Sequence, residues 1–285
     1  MSNPQDFVFR FRCPDRPGII AAVSTFFFEQ GCDIRDAAQY GDPDTGQFFG
    51  RMHFAVPAGL SGKALDEALL PLAAAQKLDY SLHDLGRPPR TLIAVSKQDH
   101  CLNDLLHRWR SGLLPTEIVG VISNHEDLRA ITEWYGLPFH HLPVSASNRG
   151  AQEDRLLDLM ASQAVDLLVL ARYMQILSDS TCRQLKGRCI NIHHSFLPSF
   201  KGARPYHRAH ERGVKLVGAT AHFVTADLDE GPIIEQDVVR VNHATSAQEM
   251  VHLGREVEAR VLARAVRWFV EHRIELNGQK TIVFA

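Results

Sequence analysis

Asn191, His193 and His194 fall within Asn191-Ile192-His193-His194-Ser195-Phe196-Leu197-Pro198, and a second segment follows as His222-Phe223-Val224-Thr225-Ala226-Asp227-Leu228-Asp229-Glu230-Gly231-Pro232. These segments offer an amide, imidazoles and carboxylates at the ends of elements. Such a set can polarise a carbonyl, hold the oxyanion that develops, and orient a nucleophile or carry its proton. The chain therefore reads first as an enzyme of acyl-group chemistry.

Other chemistries are disfavoured by what surrounds the candidate residues. No serine sits in Gly-x-Ser-x-Gly, so Ser195 reads as a turn or backbone-bonding hydroxyl before it reads as a nucleophile. The five cysteines (Cys13, Cys32, Cys101, Cys182 and Cys189) are odd in number, scattered and without a Cys-x-x-Cys pair. They predict reduced thiols, with neither a disulfide framework nor a thiolate zinc site. None of the 15 histidines forms His-Glu-x-x-His, and no metal is expected. No Gly-x-Gly-x-x-Gly follows the first strand of the second half, where Ser96-Lys97-Gln98-Asp99-His100 stands instead, which argues against a dinucleotide cofactor.

The elements that must position these groups divide into two rhythms. Residues 7–12 alternate as a strand, 19–29 carry apolar residues at a helical period, 34–39 and 48–56 read as strands, 60–72 as a helix and 79–84 as a last strand. This β-α-β-β-α-β order is a ferredoxin-like unit. Gly86-Arg87-Pro88-Pro89-Arg90 is polar, proline-rich and stiff, so the expected division is a first domain over 1–84, a linker over 85–90 and a second domain over 91–285.

From residue 91 onward, short apolar strands at 91–96, 116–123, 138–142 and 166–170 alternate with helices at 101–111, 127–134 and 154–162. That alternation predicts a Rossmann-like α/β domain with a mostly parallel sheet covered on both faces. Its ligand crevice would lie outside the strands' carboxyl ends, where Ser96, Ser123, Ala171 and Asn191 fall. The long helix over 248–272 repeats Val251, Val257, Val261, Ala265 and Trp268 or Phe269, and reads as a packing helix without chemistry.

The 285 residues suffice for two modest domains, and the apolar fraction of 45% with 22% charged residues is that of a globular protein. A formal charge of -2 offers nothing to attract nucleic acid or a membrane surface. There is no charged and apolar leader and no unbroken apolar span, so a cytoplasmic location is expected.

At these residues the chain resembles the formyltetrahydrofolate deformylases, in which an amino-terminal ACT domain precedes a formyltransferase-like domain. The resemblance spans essentially the whole length. It is carried by Ala171-Arg172-Tyr173-Met174-Gln175-Ile176-Leu177, by Asn191 to Phe200, by His222 to Pro232 and, at the amino terminus, by Cys13-Pro14-Asp15-Arg16-Pro17-Gly18-Ile19.

The resemblance implies hydrolysis of 10-formyltetrahydrofolate to tetrahydrofolate and formate, with folate as substrate and no prosthetic group. Asn191 would donate to the formyl oxygen. His193 would supply a second donor or act as acid toward the departing nitrogen, and Asp229, rather than the neighbouring Asp227, would orient water and accept its proton directly or through His193. Asp229 can reach His193 across the intervening residues if successive loops of a parallel sheet converge at one edge. Arg172, Tyr173, Met174 and Ile176 would line the folate crevice, although Met174 and Ile176 also read as core. His194, Ser195, Leu197 and Pro198 would support the site. His222 would brace the Asp229 loop or sit in the core bonded to a backbone carbonyl.

Two further readings stay open on sequence alone. A folate-dependent formyltransferase acting on an amine such as glycinamide ribonucleotide could use the same Asn191, His193 and Asp229, while a noncatalytic folate or amino-acid sensor would not need them. The transformylases that this domain resembles carry a glycine-rich phosphate loop where this chain has residues 96–100. The ACT-like segment implies a homo-oligomer and a glycine or methionine effector held by Asp15, Gly18 and Asp33, although Gly31-Cys32-Asp33 departs from the frequent Gly-x-Asn turn.

Overall fold

The computed structural model of the chain describes residues 5–195 and 205–285. The division between two compact units falls between Pro88 and Pro89, with the terminal Phe284–Ala285 counted in the first unit rather than the second.

In the first unit, β1 (Gln5–Pro14), α1 (Ile19–Glu29), β2 (Asp33–Asp42), β3 (Gln47–Val56), α2 (Gly62–Gln76) and β4 (Asp79–Asp84) follow the expected order. The sheet is antiparallel, in the order β2-β3-β1-β4. Its core follows from the period of two along β1: Phe7, Phe9, Phe11 and Cys13 all join the cluster that holds Val23 and Phe27 of α1 and Leu65 and Leu69 of α2. The Phe27 and Phe54 ring centroids lie 4.3 Å apart.

The second unit runs β5 (Arg90–Val95), α3 (His100–Arg110), β6 (Glu117–Ser123), α4 (Arg129–Trp134), β7 (Phe139–His141), α5 (Arg149–Ser162), β8 (Leu167–Leu170), α6 (Asp179–Gln184) and β9 (Cys189–His193). It continues with α7 (Pro205–Arg212), β10 (Leu216–Phe223), β11 (Ile233–Arg240), α8 (Ala247–Val270), β12 (Ile274–Asn277) and β13 (Lys280–Val283). Arg90, expected in the linker, is already in β5: its amide donates to Asp166 Oδ2 at 2.7 Å and its guanidinium pairs with Glu117 at 2.6 Å.

Seven of these strands form one sheet in the order β11-β10-β9-β8-β5-β6-β7. β9, β8, β5, β6 and β7 are parallel, as their apolar runs predict. β10 and β11 are antiparallel to their neighbours, so the sheet is mixed at one edge. Apolar clusters cover both faces. Ile190 and Ile192 of β9 point to the face packed by Val257, Val261 and Leu262 of α8, and Cys189 points to the other. Asn191 and His193 share the register of Cys189, so they emerge on the face opposite α8.

Candidate active site

The site forms where β9 reaches its carboxyl end beside β10. Asn191 and His193 lie two residues apart on one strand and therefore on one face. His222 of β10 is paired in register with Asn191, which sets a third polar side chain on the same surface. The rest of that face is sealed by apolar residues, including Leu168, Leu170 and Cys189.

The Asp229 carboxylate arrives differently from the expectation. Because β10 runs antiparallel to β9, its carboxyl end points away from the edge where the parallel strands finish, and converging parallel loops do not account for the meeting. The connection to β11 turns back instead. Val224 N donates to Cys189 O at 2.9 Å and Phe223 N donates to Pro232 O at 2.9 Å, closing the base of the loop. A Cβ at Gly231 would stand 1.8 Å from Phe223 O, so only glycine permits that closure. At the loop's far end Asp229 has φ 59, a left-handed conformation that an L residue enters at a cost.

Asp229 Oδ2 then lies 3.2 Å from His193 Nδ1, and Oδ1 lies 3.6 Å from His222 Nε2. Asp227 is exposed in the turn, where its carbonyl accepts from Thr225 Oγ1 at 3.0 Å. Burial works against the Asp229 charge, but the neighbouring imidazoles, with His193 in contact, outweigh it and hold the carboxyl well below the usual carboxylate range. Asp229 is therefore an ionised acceptor at neutral pH.

The imidazoles have defined partners. His222 is buried, and its Nδ1–H donates to Phe223 O at 3.0 Å. Nε2 is thereby left as the acceptor for the Asn191 amide, with Nδ2 at 3.2 Å. One amide N–H is spent on that bond and one remains. His193 faces Asp229 through Nδ1, which leaves Nε2 as its second functional nitrogen. His194 stacks on His193 with centroids 4.8 Å apart. Burial, then the charges of Arg172 and His193, lower its pKa to about 4, so it is neutral at physiological pH.

These groups open into a cavity of about 320 Å³ lined by Leu170, the segment from Arg172 to Leu177, Asn191 to His194, His222, and Val224 to Asp229 with breaks. The volume is at the lower end of small-molecule sites. Met174 and Ile176 are 59% and 57% exposed, which overturns their core reading and leaves them as an apolar wall. Tyr173 packs partly into the core, and burial with the Glu153 charge pushes its phenol up to about 12, so it stays neutral. Ser195 contributes its carbonyl, which accepts from Thr220 Oγ1 at 3.0 Å, in keeping with a turn residue. Leu197 and Pro198 lie outside the described residues.

Ser96, expected at the crevice edge, holds the wall segment, and two carboxylates of this region, Glu153 and Glu258, escape sequence reasoning. Ser96 Oγ accepts from Met174 N at 2.9 Å and donates to Asn124 Oδ1 at 2.7 Å. Glu153 of α5 accepts from Ser178 N at 3.0 Å and Thr181 Oγ1 at 2.6 Å, ending the wall segment at the start of α6. Glu258, 1% exposed, sits among the buried positions of α8. The available signal was a charged residue one turn from Leu262 inside an apolar stripe. One group among the described residues, His100, Cys101 and Glu258, brings metal-ligand atoms within 4.8 Å of one another. The Arg172 guanidinium nitrogen, 3.4 Å from the same Glu258 oxygen, opposes a second cation there.

The proposed effector residues are not brought together within one chain. Asp15 and Gly18 are exposed at the β1–α1 turn. Asp33 opens β2, level with Ala55 and Asp6, whereas Pro14 is level with Gln47 and Asp42. Asp33 thus stands at the opposite end of the sheet. No helix among the described residues is long and apolar enough to cross a membrane.

Comparison with known proteins follows the same division. The formyl transferase family matches residues 89–266 and the ACT domain family matches residues 7–69. A formyltetrahydrofolate deformylase of Corynebacterium sp. is 48% identical over 99% of both chains. The crystal structure of the formyltetrahydrofolate deformylase from Burkholderia mallei superposes with a TM-score of 0.94 at 46% identity, covering 99% of this chain and 100% of its own. A glycinamide ribonucleotide transformylase from Symbiobacterium toebii matches at 30% identity and a TM-score of 0.63, covering 72% of this chain and 98% of its own. The transformylase accounts for only part of the chain, whereas the deformylases account for both units in their order. The chain belongs to the formyltetrahydrofolate deformylase family.

Proposed function

We propose that the chain hydrolyses 10-formyltetrahydrofolate to formate and tetrahydrofolate in this cavity. The observation that carries the reading is the convergence of Asn191, His193 and Asp229 on the cavity floor, beside the apolar wall of Met174 and Ile176.

The donors and acceptors support the following steps. His193, with Nδ1–H held by Asp229, has Nε2 free to take a proton from water as its oxygen bonds to the formyl carbon. The remaining N–H of Asn191 meets the oxygen that gains the negative charge. As the tetrahedral adduct collapses, the bond from carbon to N10 breaks and the His193 imidazolium returns the proton to that nitrogen. Formate leaves with the remaining acidic proton released to solvent. Asp229 is too weak a base to hold the proton itself, so its part is to fix the His193 tautomer and stabilise the imidazolium. Arg172, Tyr173, Met174 and Ile176 form the folate wall. His194, Ser195 and His222 support the floor.

The transferase alternative needs a place for a second, phosphorylated substrate. Ser96, Gln98 and His100, which follow β5, are committed to Asn124, Arg172 and Glu258 respectively. This favours water as acceptor. The direct test is a metal-free assay of purified protein with 10-formyltetrahydrofolate, with and without glycinamide ribonucleotide. Formate release matching tetrahydrofolate in the absence of the amine supports hydrolysis; turnover only with the amine, and its formylation, assigns transfer.

For the first unit we infer that it pairs copies of the chain and takes a small amino acid, glycine or methionine, beside Asp15 and Gly18. A cytoplasmic place of action without nucleic-acid or membrane partners accords with the near-neutral charge. Light scattering with and without each amino acid tests the pairing and its ligand dependence.

A further inference from the structure

Helix α8 carries a carboxylate where its period calls for an apolar side chain. Glu258 is 1% exposed, one turn beyond Gly254 and one turn before Leu262. A buried carboxylate is costly unless it is paired and hydrogen-bonded. Its partners come from three other places in the second unit. Tyr206 of α7 donates its hydroxyl to Oε1 at 2.7 Å, and His100 at the start of α3 donates from Nε2 to Oε2 at 2.8 Å. Arg172, just beyond β8, brings Nε within 3.4 Å of Oε2.

His100 Nδ1 is buried with no hydrogen-bond partner among the described residues, and Nε2 carries the contact to Glu258. One guanidinium faces the carboxylate, and His100 and Tyr206 supply its hydrogen bonds. Packing supports the same geometry: a Cβ at Gly254 would stand 2.1 Å from the Tyr206 ring, so the glycine makes the room that lets the hydroxyl reach Glu258.

Arg172 is the residue this network holds. Its backbone has φ 64, a left-handed conformation that surrounding contacts must maintain. The next residues, Tyr173 to Ile176, form the cavity wall outside any helix or strand. Their placement therefore depends on side-chain tethers rather than a ladder. Arg172 Nε also donates to Gln98 Oε1 at 2.9 Å, and Met174 N donates to Ser96 Oγ at 2.9 Å. Glu258 itself is not among the residues that line the cavity.

We propose that Glu258 is a positioning residue for folate binding, which tethers Arg172 in its left-handed conformation and so sets the wall from Tyr173 to Ile176. The proposal rests on the hydrolase reading of the cavity. It concerns binding rather than chemistry, because Glu258 is placed to touch the wall's anchor and not a reacting atom.

Three variants of the full chain test it. Glu258→Gln removes the charge that faces Arg172 and meets the two donors, His100 and Tyr206, with an amide, whereas Tyr206→Phe removes one hydrogen bond. Loss of binding shared by ground and transition states raises KM and spares kcat, so KM for 10-formyltetrahydrofolate and Kd for tetrahydrofolate are expected to rise together, about tenfold in E258Q and about threefold in Y206F. Glu258→Asp keeps the charge and the Arg172 side chain but withdraws the carboxylate by one methylene, and a smaller rise in Kd is expected. Each Kd is taken well below that variant's Tm, where a Glu258 that served stability alone leaves the folded protein's Kd at the wild-type value. Wild-type Kd values in folded E258Q and Y206F overturn the proposal. If E258Q does not fold, Y206F and E258D decide the matter by the same criterion. Absence of formate release by the wild-type protein would sink the hydrolase reading instead, because tetrahydrofolate binding reports on the wall independently of turnover.

Discussion

Asn191 and His222 stand opposite each other across the antiparallel β9–β10 ladder, with the amide Nδ2 3.2 Å from the imidazole Nε2. Since Nδ1–H of the same ring donates to Phe223 O, the backbone selects the tautomer and the tautomer selects the amide's orientation. The direction of the second Asn191 amide N–H is thus fixed within the fold.

That chain of dependence makes His222→Ala a test of orientation. Removing an oxyanion donor outright costs about 10²–10³ in kcat, and releasing Asn191 to reorient should cost about tenfold or more with little change in KM. Steady-state kinetics at constant pH checks this. An unchanged kcat in folded H222A would show that Asn191 is held by something else.

Asp229→Asn leaves the loop's shape and removes the charge that His193 faces. Turnover should fall by roughly 10²-fold or more, on the scale of a His193 general base deprived of the group that orients it and stabilises its charged form, while tetrahydrofolate still binds. The same substitution has a stability signature. Asp229 is held below its ordinary range, so its contribution is present above about pH 4, the unfolded value, and is lost as pH falls through the folded value. Melting curves in acid should accordingly be flatter with pH for D229N than for the wild type.

His194 gives the opposite end of the same relation. Its folded pKa is lowered from 6.5 to about 4, chiefly by burial, so between those values the unfolded chain binds more protons. Stability should therefore be full above about pH 6.5 and decline as pH drops toward 4. His83 in the first unit is likewise lowered to about 4, by burial and then by Arg10. Replacing His194 with Phe should weaken the decline in the unit that carries it, and His83→Phe should do so in the other, as resolved by scanning calorimetry at several pH values.

Met174→Ala and Ile176→Ala should separate binding from folding. Both side chains are more than half exposed, so truncation leaves little cavity and the Tm should move by no more than about a degree or two. Lost apolar contact with the folate should raise KM several-fold for each. A large drop in Tm with unchanged KM would return these residues to a packing role.

Much of this molecule is written in local pattern. The alternation of Phe7, Phe9 and Phe11 marks one buried face of β1, and the helix over Ile19–Glu29 and the strand over Asp79–Asp84 have the extents their periodicity suggests. The two short segments that carry Asn191, His193 and Asp229 are also local, and their residue types alone raise the expectation of acyl chemistry. These are short-range signals, set by side-chain period and by backbone chemistry within a few residues.

Tertiary structure decided what depends on distant partners. The antiparallel course of β10 reversed the expected route of the Asp229 loop, because strand direction is settled by pairing with β9 and not by the residues of β10 alone. Sheet order likewise separated Asp33 from Asp15 and Gly18, and the environment beyond their own segment left Met174 and Ile176 exposed. Glu258 reads in sequence as a defect in an apolar stripe. Only the arrival of His100, Arg172 and Tyr206 from remote positions makes its burial affordable, since a charge in the interior is stabilised by groups that no local period can reveal.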